Sequence, residues 1–386
     1  MSTISRRQLL VRSVATAVAL SLPLRRAAAT DWFRYREAIV IDGLGGPGCL
    51  NTEPGGRLLE QELKDTHESG VTCAHITVGP VGTKAPDTAF MDTVRGIAYW
   101  EREIDDHPEV LSRVRIAGDI GKAKKAKRTG LVYGVQDGVA FESELSRLDD
   151  LHALGLRVVQ PTYNRRNLLG DGCLEPANAG LSRAGVEAIE RMNALGILVD
   201  LSHCGRQTAA DAIRVSRKPV AFTHTGCQAL ADHPRNRTDE ELRAVADKGG
   251  VSGIYFMPYL SEGRQPTAAD IVRHLEHMVQ VAGEDHVSIG TDGCISPTTV
   301  DEKYKEAFAK DTRERRESGI GAPWETEQGY LFAADLNTPR RFATLAMMLA
   351  DRRHSAVRIE KILGGNLLRV FGETWKSEEP KSQARA

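Results

Sequence analysis

LVDLSH (198–203) and VAFTHT (220–225) decide the reading of this chain. Each is a short apolar run that ends in a histidine, His203 in the first and His224 in the second. The spacer between them holds one amphipathic helix and two loops, which is the layout of a β/α repeat. In barrels built from such repeats, active sites form where the strands end. Neutral imidazole is also the commonest protein ligand for zinc-like metals. A single histidine at a strand end reads more simply as a satisfied core residue. Two at matching positions of consecutive repeats point instead to a metal site on a barrel rim.

Working outward, the same pattern recurs. AIVIDGL (38–44), VTCAHITV (71–78), LVYGVQD (131–137) and RVVQPTY (157–163) precede the pair, and VSGIYF (251–256) and VSIGTD (287–292) follow it. Between them lie helical periodicities. In SRAGVEAIERMNALG (182–196), Val186, Ile189, Met192 and Leu195 recur at helical spacing, with Ser182 as N-cap and Gly196 as stop. In TDEELRAVADKGG (238–250), Thr238 and Glu241 form a capping box and Gly249 ends the helix. Eight strands alternating with helices predict an α/β fold, a (β/α)8 TIM-type barrel over residues 30–373. No GxGxxG follows the first strand, and Gly43-Leu44-Gly45-Gly46 is too loose a match for dinucleotide binding. Residues 295–336 read as a charged insertion after the eighth strand, a short helix plus a lid beside the site, with a homodimer surface as the equal alternative. The polar stretch 374–386 reads as a disordered tail.

The chain has 386 residues, 41% hydrophobic and 27% charged, which is a globular composition. No basic tract argues for a nucleic-acid partner. Residues 1–29 read as a twin-arginine signal peptide. Arg6-Arg7 precedes a moderate apolar stretch, Val14 to Leu24, and Ala27-Ala28-Ala29 offers a cleavage site. The apolar stretch is too short for a membrane anchor. The expected partner during export is the twin-arginine translocase, and the expected location is the periplasm. Of six cysteines (49, 73, 173, 204, 227 and 294) none forms a CxxC pair, and they read first as small buried hydrophobes.

At the strand ends stand Asp42, His75, Gln136 with Asp137, Tyr163 with Asn164, Asp200 with His203, His224, Tyr255 and Asp292. Two imidazoles and the aspartate of the last strand make a metal-and-base constellation. A metal acidifies its bound water to a pKa of about 7, and a carboxylate can take the proton during attack. Arg235, in HPRNRTDEE, is placed to grip a substrate carboxylate by two parallel hydrogen bonds; its alternative is a solvated loop arginine. Tyr255 and Asn164 are further candidates for substrate binding. The loop Gly170–Glu175 either returns a carboxylate or thiolate to the site or is a Gly-rich turn.

NALGILVDLSHCG, PVAFTHTGCQAL, HPRNRTDEEL, GGVSGIYFMP, HVSIGTDG and ILGGNLLRVFGE, taken in order, resemble the successive signatures of the membrane (renal-type) dipeptidases, the M19 metallopeptidases. The resemblance runs from about residue 38 to 373 and is strongest over 180–295. It implies an amidohydrolase-like barrel whose typical binuclear zinc site hydrolyses dipeptides. It implies that His203 and His224 hold one metal, that Asp292 binds the other and assists proton transfer, and that Arg235 binds the substrate carboxylate.

The chain departs from that pattern at three strands. Where the first strand normally ends in Asp-Gly-His-x-Asp, it reads Asp42-Gly43-Leu44-Gly45-Gly46. Gln136 stands for the metal-bridging glutamate. Tyr163 stands for the histidine that polarises the scissile carbonyl, and its hydroxyl can still donate to an oxyanion. Losing one histidine and two carboxylates leaves two dications without compensation. The expectation is therefore one zinc ion per chain, on His203 and His224, with Asp292, Gln136, a cysteine or water completing the tetrahedron. The leading reading is an exported hydrolase of a small peptide or amide with a free carboxylate. The alternatives are a tailoring enzyme acting on an exported peptide-derived metabolite and a binding or scaffold protein that has lost catalysis.

Overall fold

The computed structural model describes residues 32–48, 56–82 and 85–376. The signal peptide read over 1–29, and Cys49, lie outside these residues.

Eight parallel strands form one sheet in sequence order: β1 (Ile41–Asp42), β2 (Cys73–Thr77), β3 (Thr129–Val135), β4 (Leu156–Val159), β5 (Leu198–Asp200), β6 (Val220–Cys227), β7 (Val251–Ile254) and β8 (Val287–Ile289). Helices cross from each strand to the next, and the sheet curls into a nearly closed (β/α)8 barrel of TIM type. Each strand overlaps a run expected from the sequence, but β3 and β4 begin before their runs, at Thr129 and Leu156, and β6 extends past its run to Cys227. A short strand at Leu111–Arg113 pairs with β3 outside this order, and its sequence gave no sign of it. Both helix readings hold. The helix Arg183–Leu195 is capped by the Ser182 hydroxyl and stopped by Gly196 in the left-handed region. The helix Asp239–Asp247 carries the Thr238/Glu241 capping box.

The barrel is filled in two ways. At its N-terminal end, one apolar side chain from each of β1 to β7 (Ile41, Cys73, Val132, Val158, Leu198, Ala221, Val251) packs inward, and Leu367, Val370 and Phe371 of the helix Asn366–Thr374 plug the opening. That helix runs past Glu373, and Thr374 is fully buried, so the ordered chain reaches beyond the boundary read from the sequence. Above this layer the strands approach closely. A Cβ on Gly253 or Gly290 would lie 2.1 or 2.0 Å from the Thr223 carbonyl, so only glycine fits at either position. The histidines, Arg235 and Asp292 stand above this layer, at the C-terminal end.

Closure between β1 and β8 needs a side chain. Gly43 N–H donates to the Ile289 carbonyl (2.8 Å) and Asp292 N–H to Leu44 (2.7 Å), and Gly45–Gly46 pairs with Gly293–Cys294. The carboxylate of Asp42 adds the strongest tie. It accepts the Thr291 N–H (2.8 Å), the Thr291 hydroxyl (2.7 Å) and the Leu44 N–H (3.3 Å).

Asp42→Ala leaves the buried Thr291 donors unsatisfied and should cost about 2–4 kcal/mol, read as a lower urea midpoint. Burial raises the Asp42 carboxyl from 3.8 to about 7. The fold thus binds this proton more tightly than the unfolded chain does. The contribution is fully present below the unfolded value and is lost as pH rises through about 7. Asp42→Asn should flatten that part of the stability–pH profile; an unchanged slope would show that Asp42 does not cause it.

Candidate active site

Gln136, Tyr163, Asn164, His203, Arg235 and Asp292 line one cavity of about 130 Å³ at the C-terminal end of the barrel. Met257, Tyr259, Asp311, Arg315, Glu325 and Leu331 complete its wall. A larger groove of about 410 Å³ lies at the opposite end and contains none of the six.

The two histidines are fixed by different partners to the same effect. Asn164 donates through Nδ2 to the Ile320 carbonyl (2.8 Å), which turns its Oδ1 toward His203 Nδ1 (2.6 Å). Thr223 gives its single hydroxyl proton to the Asp200 carboxylate (2.5 Å), so toward His224 Nδ1 (2.9 Å) it can only accept. Both rings therefore carry the proton on Nδ1 and present a bare Nε2. Each Nε2 is buried without a hydrogen-bond partner, and the ring centres are 5.1 Å apart. Burial, then the charge of Arg235, pushes both imidazoles well below their ordinary pKa and keeps them neutral. A neutral, oriented imidazole with an orphaned lone pair is a metal ligand in waiting.

A bulge re-aims His224. Phe222 pairs with Ser252 and Thr225 with Ile254, so Thr223 and His224 together oppose the single residue Gly253. His203 is held through its backbone. Its N–H donates to Gln160 Oε1 (3.1 Å), and its carbonyl accepts the Cys173 N–H (2.8 Å). The buried Arg237 grips the carbonyls of Leu201, Ser202 and Cys204 around it (2.8–2.9 Å). The tyrosine ring of Tyr163 stacks on His203 with centroids 4.1 Å apart.

Arg235 is 1% exposed and not a solvated loop residue. One terminal nitrogen donates to the Ser202 carbonyl, and the other, Nη2, is buried with no partner. Its guanidinium lies over the Tyr255 ring at 5.8 Å. Tyr255 supports the arginine from behind, its hydroxyl committed to Asn236, and does not line the cavity. Asn164 donates to Ile320 and accepts from His203, so it orients that ring while it lines the cavity. Gln136 donates to Thr77 Oγ1 (2.8 Å) through Nε2. Asp292 sits at φ +56°, a left-handed conformation that few side chains tolerate. Its carboxylate makes no hydrogen bond or ion pair among the described residues. Burial raises its pKa, while Arg235 and Arg315 oppose the rise.

The metal ligands expected from the first strand have no substitute. Leu44 is buried, and Ile76 Cγ2 lies 2.5 Å from where a Cβ on Gly46 would stand. Among the described residues no three His, Cys, Asp or Glu side chains gather as a ligand set. His203 and His224 offer two donors that fit a metal ion, and a third buried imidazole, His75, bonds through Nδ1 to the Gly43 carbonyl (2.7 Å) and likewise leaves its Nε2 without a partner. In the loop Gly170–Glu175, Asp171 turns to Arg166 (2.6 Å), and the Cys173 thiol contacts Asn164 Oδ1 (3.3 Å). Cys73, Cys204 and Cys227 are buried free thiols.

Sequence reasoning missed Arg315 and Glu325. Both come from the insertion, where Arg315 lies in the charged run RERRE of the helix Glu302–Glu317 and nothing in that pattern separates it from a solvated face. Arg237 was legible within HPRNRTDEE, beside Arg235.

Replacing Asn164 by leucine keeps its branched shape and removes the acceptor for His203. Imidazole ¹⁵N spectra should then show His203 leaving the Nδ1–H tautomer while His224 stays in it. A His203 spectrum that does not change would refute this account of its orientation.

The sequence profile of membrane dipeptidase (peptidase family M19) matches residues 56–303. The chain is similar to dipeptidase verJ of Clonostachys rogersoniana, 29% identical over 191 residues, which span 49% of each protein. Among solved structures it resembles an amidohydrolase from Pseudomonas aeruginosa, 31% identical with a TM-score of 0.76, over 88% of this chain and 98% of that one. It shares its fold with a metallopeptidase from Rhodobacter sphaeroides liganded with a phosphinate mimic of the dipeptide L-Ala-D-Ala, 18% identical with a TM-score of 0.70, over 88% and 100%. With its barrel, its paired histidines and these matches, the chain belongs to the M19 family of dipeptidase-like hydrolases.

Proposed function

We propose that this protein is an exported hydrolase of a small dipeptide or amide with a free carboxylate, holding one zinc-type ion on His203 and His224. One observation carries the reading. Two bare Nε2 atoms, an unpaired guanidinium nitrogen and an unpaired carboxylate meet at one end of the barrel. The unpaired Arg235 Nη2 receives the substrate carboxylate. Asp292 takes the proton of the attacking water, and the Tyr163 hydroxyl donates to the oxygen that gains charge. A zinc-type ion held by His203 and His224 would supply Lewis acidity. The cavity, about 130 Å³, restricts the substrate to short side chains. The phosphinate dipeptide bound by the Rhodobacter structure supports a ligand of this size and chemistry.

The missing third ligand group favours one rival, a scaffold that has lost its metal. Metal content separates the two. Metal-replete protein should hold about one ion per chain, and His203→Ala should remove most of it. Two tightly held ions, or none, would overturn this reading.

On a substrate found with a dipeptide panel, Asp292→Asn should lower kcat by about 10²–10⁴-fold with the ion retained. Arg235→Ala should mainly raise KM, because a carboxylate grip serves ground and transition states alike. Near-normal turnover of Asp292→Asn would remove Asp292 from the role of base.

Export rests on Arg6-Arg7 ahead of the apolar stretch. Changing both to lysine should trap an uncleaved precursor in the cytoplasm; normal periplasmic accumulation would refute the twin-arginine route.

A further inference from the structure

We infer that Arg315, carried on the insertion helix, is a positioning residue that sets the direction of the Tyr163 hydroxyl and makes it a donor to the substrate. This rests on the hydrolase reading above and assigns a part of the site that the paired histidines leave open.

Hydrogen-bond polarity sets the direction of the hydroxyl. A guanidinium has five N–H donors and no acceptor. Both terminal nitrogens of Arg315 lie 3.5 Å from Tyr163 Oη. In that contact the tyrosine oxygen can only accept, and its own proton is left for another partner. Among the described residues Tyr163 Oη has no other hydrogen-bond partner, and the residue lines the cavity. The O–H therefore points to where a substrate oxygen would sit. At 3.5 Å the contact is long, the state expected before charge builds on the substrate.

Arg315 is itself held from behind. Glu325 takes its Nε and Nη2 by two parallel bonds of 3.0 Å each. Tyr259 donates to the same carboxylate (2.6 Å). The Glu325 side chain is 9% exposed, so this is not a solvated surface pair. With both Glu325 oxygens engaged, the arginine is kept from swinging to Asp292 or Asp311, which line the same cavity. The loop between them is fastened to the barrel. Ile320 carbonyl accepts from Asn164 (2.8 Å), and His233 Nε2 meets the Pro323 carbonyl (2.8 Å). The insertion thus supports the hydroxyl that stands where the family carries a histidine.

The test is a double-mutant cycle on zinc-loaded protein, with a phosphinate mimic of L-Ala-D-Ala as probe and calorimetry as readout. Tyr163→Phe should weaken binding by about 10²-fold and Arg315→Met by about tenfold. The double variant should bind no more weakly than Tyr163→Phe, because Arg315 acts through that hydroxyl. Arg315→Lys, which keeps the charge, should recover part of the loss, and Glu325→Gln should reproduce it in part. Independent, additive losses would overturn the proposal, as would an Arg315→Met protein that binds normally. If Tyr163→Phe binds normally while the wild type binds, the oxyanion role of Tyr163 falls and this inference with it. A metal-loaded wild type that does not bind the probe overturns the hydrolase reading instead. Urea midpoints of all variants show whether a loss is one of folding; if Arg315→Met is unstable, Glu325→Gln and Arg315→Lys carry the test.

Discussion

The carboxylate of Asp42 takes the amide and hydroxyl protons of Thr291, and that pair joins the first strand of the barrel to the last. Few backbone bonds do the same work there, since β1 and β8 are two and three residues long. Closing a sheet into a barrel removes its edges only if the last register is fixed. Here the fixing group is buried and elevated in pKa, a cost that its three hydrogen bonds offset in part. The next residue is Asp292, held in the left-handed region by its N–H bond to Leu44. The contact that closes the fold also places the carboxylate that faces the cavity.

The site follows from the same economy of space. Apolar side chains and a C-terminal helix stop one end of the barrel, and glycines bring the strands close around the Thr223 carbonyl. The histidines, Arg235 and Asp292 stand toward the other end. Asp200 anchors Thr223, Thr223 orients His224, Asn164 orients His203, and Arg237 holds the turn that carries His203. Each bond fixes one ring proton on Nδ1, so both imidazoles face outward with a lone pair. The first strand cannot add ligands, because Leu44 is packed inward and Ile76 fills the space beside Gly46. The absence of ligand side chains from the first strand is thus written into packing as well as into the sequence.

The insertion changes the electrostatics of what remains. It brings Arg315 and Glu325 as a neutral pair against Tyr163, near Arg235 and Asp292. The guanidinium groups of Arg235 and Arg315 supply fixed positive charge around the cavity. Burial makes such charges effective, because little water is left to screen them.

Much of this was legible in the sequence. The eight apolar runs, the capped helices and the two histidines at strand ends fixed the fold class, because strand and helix periods are local properties of the chain. The Asp-Gly-Leu-Gly-Gly stretch already departed from the ligand pattern that the family resemblance implies. Other features needed the tertiary structure. The tautomers of His203 and His224 depend on Asn164, Thr223 and Asp200, which lie far from them or compete for protons in ways that no spacing shows. Tyr255 and Asn164 read as substrate contacts; the fold also sets them against Arg235 and His203, because a strand end gives a residue's position but not the partner that its polar atoms find. Arg315 sits in a run of like charges that reads as a solvated face. Only the fold of the insertion over the barrel selects that one side chain, since which face of a charged helix is covered depends on what packs against it.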